Sequence, residues 1–280
     1  MTKLFLAALF TFTGATAHAQ VDLPDEAQEA VRVGKLLYRT EMASWYGSDV
    51  FMERFPGRLD SSGGYFSYPN GDHTTCIFFT RDEEPRSLGR FSFDSTFNVN
   101  NVMIDANPGA LTTLESELFR MRRAAIEVMS NNDYFERYED MNFNLIPLRD
   151  GDKRLIYVLS GPKKNGVIVI GNDYLLTLDK GYQVRSRVRL HKNIQIMPYE
   201  PDGTEEVTMS VHSHLPETGD FITATDICTL MLYAPFADWP QHLVISENWV
   251  SIWNCKSNEL SVITRKAWDR IYKDQEKRHR

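Results

Sequence analysis

Residues 211–226 read VHSHLPETGDFITATD, and three of them are good metal donors: His212, His214 and Asp226. The run EEVTMSVHSH has the pattern of a strand, and side chains two apart on a strand share a face. Both imidazoles therefore project the same way from the strand's end. Leu215 to Asp220 holds Pro216 and Gly219 and reads as a loop, after which Phe221 and Ile222 return the chain to the core. Thr223 suits a helix N-cap, which puts Asp226 in the first helical turn. Where strand end meets helix start, two imidazoles and a carboxylate converge. Three N/O donors plus water make an open catalytic zinc site, in which the ion lowers the pKa of its water to about 7 and yields a nucleophile at neutral pH. The same residues also have an ordinary reading. Thr223-x-x-Asp226 is a capping-box pattern, and acids are favoured in a first helical turn by the helix dipole.

The arrangement resembles the signature of the JAMM/MPN metalloproteases, His-x-His-Pro, a short loop, then Ser-x-x-Asp. Here it stands as His212-Ser213-His214, a loop, and Thr223-Ala224-Thr225-Asp226. The likeness spans roughly residues 154–255, where a helix and two strands (HLVIS, WVSIWN) follow the motif. The resemblance implies zinc held by His212, His214 and Asp226. It also implies that Thr223 stands where the family's serine orients the reacting carbonyl oxygen. The sequence departs from the pattern in four ways. Leu215 follows the second histidine, with the proline one later; eleven residues separate His214 from Asp226 instead of ten; Thr replaces Ser; and no glutamate lies between Glu139 and Glu200 to act as the upstream general base. That base is left unassigned, with Glu139, Glu136, Glu41, Glu117 and Asp173 as candidates. His191 and His242 are isolated in sequence and read as structural.

The elements that must position these residues follow from periodicity. Residues 24–46 carry apolar side chains at helical spacing, with Pro24 at the start and Gly47-Ser48 at the end. Tyr65–Tyr68, Thr74–Thr80 and Leu88–Phe93 read as an antiparallel meander, with Pro69-Asn70-Gly71-Asp72 as its first turn. Thr112-Thr113-Leu114-Glu115 is a capping box opening a helix that buries Leu114, Leu118, Met121, Ala125 and Met129. FERYEDMNFNLIPL reads as short helix plus loop. From Arg154 onward strands dominate, and TRKAWDRIYKDQEKRHR reads as a terminal amphipathic helix. The fold class is α+β: an N-terminal helix plus antiparallel meander over 20–110, then a JAMM/MPN-like mixed α/β domain over 111–280.

The first nineteen residues have the build of a secretory signal peptide: Lys3, an apolar run, and Ala17-His18-Ala19 before the cleavage point. The run is too short to span a bilayer, which takes about 20 apolar residues. Export to a periplasm or to the medium is expected, with no membrane span. Net charge is −7, without a basic block, which argues against a nucleic-acid partner. Three cysteines, Cys76, Cys228 and Cys255, allow one disulfide, with Cys228–Cys255 as a candidate pair. The leading functional expectation is an exported zinc-dependent amide hydrolase acting on a peptide or protein. The alternative is a catalytically inactive secreted binding module of the same fold, and a third reading keeps the metal for structure alone. Substrate and oligomeric state are not encoded in any motif.

Overall fold

The computed structural model describes residues 23–130, 132–199, 207 and 209–278. Segment 1–19, expected as a signal peptide, and most of the run 200–208 that leads into the HxH strand lie outside the described residues. The chain opens with α1 (Asp25–Arg54). This helix runs past the expected stop at Gly47-Ser48. Gly47 lies inside it because α1 presses on the neighbouring sheet there: a Cβ at Gly47 would stand 2.6 Å from Cys76 Cβ. Packing, and not a helix end, explains this glycine.

The meander forms as expected. Strands β1 (Ser62–Asn70), β2 (His73–Thr80) and β3 (Arg86–Phe93) pair antiparallel in order, and short β4 (Met103–Asp105) and β5 (Gly109–Ala110) both pair with β3. Helix α2 (Thr113–Ser130) follows, its capping box complete: Thr112 N donates to Glu115 Oε2 and Glu115 N to Thr112 Oγ1. Leu118, Met121, Ala125 and Met129 are buried as expected, but Leu114 faces solvent and Glu115 is fully buried in its stead. The segment expected as helix plus loop is largely β6 (Met141–Asp150), which pairs along its whole length with β7 (Lys153–Pro162). The apolar run Leu145–Leu148, buried from Ile146 to Leu148, is a strand signal that Pro147 obscures; proline is tolerated here because β6 is an edge strand.

Then come β8 (Val167–Gly171), β9 (Tyr174–Leu178), β10 (Val184–Arg189) and β11 (Ile194–Pro198). One sheet has the order β10-β9-β7-β6, and β11 pairs with β8. The last sheet is β12 (Ser210–Ser213), β13 (Gln241–Ile245), β14 (Trp249–Asn254) and β15 (Glu259–Thr264), with α3 (Ala224–Tyr233) between β12 and β13 and α4 (Arg265–Arg278) at the end. β12 and β13 are parallel and therefore need a crossover, which α3 supplies.

The core is continuous across the expected boundary near residue 110. Phe66, Ile77 and Phe79 of the meander share one apolar cluster with Leu118 and Met121 of α2 and Ile156 and Leu176 of the central sheet. α1 packs on β2 and β3 through Phe51 and on β6, β7 and α3 through Val33 and Leu37. All three cysteines are free and buried. Cys228 packs with α1 and Cys255 beside Trp253, in separate clusters, so the candidate Cys228–Cys255 bridge is absent. Trp239 and Trp253 are core residues. Among the described residues, no helix is long and apolar enough to cross a membrane.

Candidate metal centre

Four segments meet at one buried point. The first is β12, where Ser210 and His212 face the interior while Val211 and Ser213 face out. The chain then bends: His214 N donates to Ile245 O at 3.0 Å, which ties the strand end to β13. The loop that follows is pinned at Asp220, whose main-chain oxygen accepts from Ser246 Oγ at 2.8 Å. Ile222 N donates to Ser251 Oγ at 3.1 Å. These bonds deliver Thr223 to the start of α3, the second segment. Thr223 and Asp226 form the complete capping box read from the sequence.

The third and fourth segments are the residues before β9 and after β10. Gly171 makes their contact feasible. It adopts φ +91°, and a Cβ there would lie 2.2 Å from Asn193 O. With no side chain at 171, the turn carrying Asp173 lies directly on the segment carrying His191. Leu190 N donates to Asp173 O at 3.0 Å, and Asp173 Oδ1 accepts from His191 Nδ1 at 2.7 Å.

The donors assemble as His191, His212, His214 and Asp226, all buried, with one ligand atom of each within 4.8 Å of the others. His214 Nε2 is 3.1 Å from His191 Nε2 and 3.0 Å from His212 Nε2. Asp226 Oδ1 is 3.3 Å from His191 Nε2, while Oδ2 is 3.3 Å from His214 Nε2 and 3.7 Å from His212 Nε2. Four donors placed tetrahedrally at 2.0–2.1 Å from an ion are separated by about 3.3 Å. These five spacings, taken from both Asp226 oxygens, lie around that value, and the remaining pair, His191 with His212, lies within 4.8 Å. The donor set is mixed imidazole and carboxylate, which suits zinc and its first-row neighbours better than calcium or magnesium, ions that favour all-oxygen shells.

The polar bookkeeping points the same way. Asp226 Oδ2 accepts from Thr223 N at 2.9 Å and from the Thr223 hydroxyl at 2.8 Å. Asp226 Oδ1 is buried with no hydrogen-bond donor. A buried acceptor left unpaired costs about 1–3 kcal/mol. It faces His191 Nε2, whose ring already spends its Nδ1 proton on Asp173. In the ion-free chain a proton on that Nε2 balances Asp226; with the proton gone, lone pairs converge on one point, as they do round a cation.

Electrostatics in the ion-free chain show what a cation must displace. Burial would lower the pKa of His191, but Asp226 and Asp173 outweigh it and hold this imidazole well above its usual value. Burial would likewise raise Asp226, yet His191 and His212 keep it well below the ordinary carboxylate range. His212 is pushed down to about 4, first by burial and then by the neighbouring imidazoles. Burial takes His242 to about 3. An ion entering here replaces the proton on His191, so binding is coupled to proton release.

The three donors read from the sequence are therefore brought together. His191, read as structural, joins them as a fourth. His242, also read as structural, lies behind His212 with its Nε2 2.7 Å from His212 Nδ1. No local spacing announces either residue: His191 arrives through the packing of the β10-β9-β7-β6 sheet against the β12–α3 unit, and His242 through the parallel pairing of β13 with β12. The candidate bases divide. Asp173 is at the centre, but both carboxylate oxygens are engaged, by His191 and by the Thr225 hydroxyl. Glu117 is held by Arg149 and Arg154, Glu136 by Arg189, and Glu41 by Asn144. Neither these nor Glu139 belongs to the donor group. Thr223 is occupied as the helix cap, its hydroxyl directed at Asp226. No family model, curated protein or solved structure matches this chain, so the centre is read from its own geometry.

Proposed function

We propose that this chain is an exported metalloprotein whose C-terminal half is organised by one zinc-class divalent ion, held by His191, His212, His214 and Asp226. The observation that carries this reading is the convergence of four buried donors, one ligand atom of each within 4.8 Å of the others. Protein side chains supply all four positions, which is the pattern of closed sites that stabilise a fold. The ion would join β12 and α3 to the β9–β10 sheet, beside the Thr225–Asp173 hydrogen bond that links α3 to it. The test is metal content of the purified mature chain, beside His212→Ala and Asp226→Ala. One equivalent of zinc in the parent, lost in both variants while secondary structure persists, supports the reading. A parent that takes up no metal from excess zinc rejects it.

A second reading is the zinc-dependent amide hydrolase that the JAMM/MPN resemblance implies. Its support is the placement of His212 and His214 at a strand end against Asp226 in the first turn of the next helix. When bound with an open position, zinc supplies an activated water and polarises a carbonyl. For that, His191 must give up the fourth position, Thr223 must turn from its cap toward the substrate oxygen, and a carboxylate must carry the proton to the leaving amine. Asp173, released with His191, is the carboxylate nearest to hand. Peptide and isopeptide cleavage by the zinc-loaded parent and by His191→Ala tests this. Turnover in either supports the hydrolase. Its absence in both, with zinc bound, leaves the closed centre, a binding or structural module.

A further inference from the structure

Resting on the metal reading above, the bonds behind His212 carry a second conclusion. His212 Nδ1 lies 2.7 Å from His242 Nε2, and His242 Nδ1 lies 2.7 Å from Ser210 Oγ. His242 is fully buried, and its ring stacks on Trp239 at 6.0 Å between centroids and 12° between planes. Ser210 and His242 are register partners across β12 and β13, and His212 is two residues along on the same face. The three groups therefore form a line leading away from the donor centre.

A neutral imidazole has one N–H, so the line has only two self-consistent settings. In one, Ser210 donates to His242 Nδ1, His242 Nε2–H donates to His212 Nδ1, and the His212 proton sits on Nε2, pointing into the centre. In the other, His212 Nδ1–H donates to His242 Nε2, His242 Nδ1–H donates to Ser210 Oγ, and His212 Nε2 is bare. Only the second can ligate. Ser210 permits both because a hydroxyl both donates and accepts. We propose that His242 is a positioning residue of the metal centre: its Nε2 accepts the Nδ1 proton of His212 and so fixes the tautomer and ring angle that present His212 Nε2 to the ion. His191 has an equivalent support in Asp173, itself bonded by Thr225 next to the ligand Asp226. Among the described residues His214 has none, its Nδ1 being buried without a partner there. The centre thus has two braced imidazoles and one unbraced. Supports of this kind orient metal ligands and are commonly worth 10–100-fold in affinity.

The test uses the mature full-length chain and zinc alone, competed against a chelator. His242→Phe keeps the ring volume and the stack on Trp239 but offers no acceptor. His242→Gln can accept from His212 Nδ1–H and donate to Ser210. Zinc affinity is expected to fall about 10–100-fold in His242→Phe and to stay within about threefold of the parent in His242→Gln. Equal affinity in His242→Phe and parent overturns the proposal, as does an equal loss in both variants, which would make the ring's packing the cause. Nitrogen-15 spectra of the zinc-loaded parent give a readout that needs no variant: the His212 proton is expected on Nδ1, and finding it on Nε2 overturns the proposal even if His242→Phe does not fold. Failure of the metal reading is separable, because it appears as no zinc uptake by the parent before any His242 variant is made.

Discussion

Two buried carboxylates in this molecule are built in opposite ways. Glu115, at the start of α2, accepts from Arg90 Nε and Nη2, from Tyr68 Oη and from Thr112 N, all at 2.7–2.8 Å. Burial would raise its pKa, but Arg90, the amide and the phenol outweigh that and lower it. Every lone pair has a proton and the one negative charge has one positive partner. Asp226, at the start of α3, has the same kind of helix cap on Oδ2 and nothing but imidazole nitrogens in front of Oδ1. Both are helix-start acids in a capping box. One closes its charge balance with an arginine that stays charged, the other with an imidazole, His191, that can give up its proton. A buried acid with a complete set of donors is architecture. A buried acid facing imidazoles that can release a proton is a candidate site.

That contrast can be broken directly. Arg90→Met leaves Glu115 buried without its cation and should destabilise the fold by about 3–5 kcal/mol. The loss, read by urea unfolding, should be the same with and without zinc. A zinc-dependent loss would mean the two regions are coupled. At the other acid, zinc at about 1,000 times its Kd should stabilise the parent by about 4 kcal/mol. Asp226→Ala and His212→Ala should abolish that increment. Retention of it in either variant would place the ion elsewhere.

How much of this was legible before the fold is itself explained by locality. The HxH strand, the N-cap at Thr223 and the turn placing Asp226 are short-range features, and periodicity and capping rules reach them. The meander and the Thr112–Glu115 cap were readable for the same reason. His191 was not, because its approach depends on Gly171 letting one segment lie on another, and nothing near His191 in sequence signals that contact. His242 was hidden likewise by a parallel pairing of β12 and β13 across the intervening helix. β6 was missed through Pro147, and the extension of α1 through Gly47, each a residue whose local preference lost to packing.

Acid sharpens the comparison, because only one of the two regions contains groups that refuse protons. His212 and His242 have folded pKa values of about 4 and about 3, against an ordinary value of 6.5. Below pH 6.5 the unfolded chain binds protons that the folded chain does not, so stability falls as pH falls. His191 runs the other way: its raised pKa adds stability that is complete below 6.5 and is lost as pH rises through the folded value. Chelated Glu41→Gln, in which the opposing titration of Glu41 is removed, should therefore lose about 3 kcal/mol between pH 6.5 and pH 5. Urea unfolding of chelated protein across this range checks it. A flat profile would show that the imidazoles are not held neutral.

A third buried acid supplies the intermediate case. Glu41 on α1 has neither a cation nor a ring of imidazoles; its Oε2 accepts from Asn144 Nδ2 at 2.9 Å. Burial pushes its pKa up to about 7, from the usual 4.5. Between those values the unfolded chain ionises and the folded chain does not, so Glu41 favours the fold below about pH 4.5 and costs stability as pH rises toward 7. Glu41→Gln keeps an acceptor for Asn144 and removes the charge. It should be neutral at pH 4.5 and stabilising by about 2 kcal/mol at pH 8, as a shift of this size implies after some loss for the new amide. Zinc affinity should not change, because Glu41 is outside the donor group. If Glu41→Gln instead weakened zinc binding, Glu41 would have to be counted with Asp226 and not with Glu115.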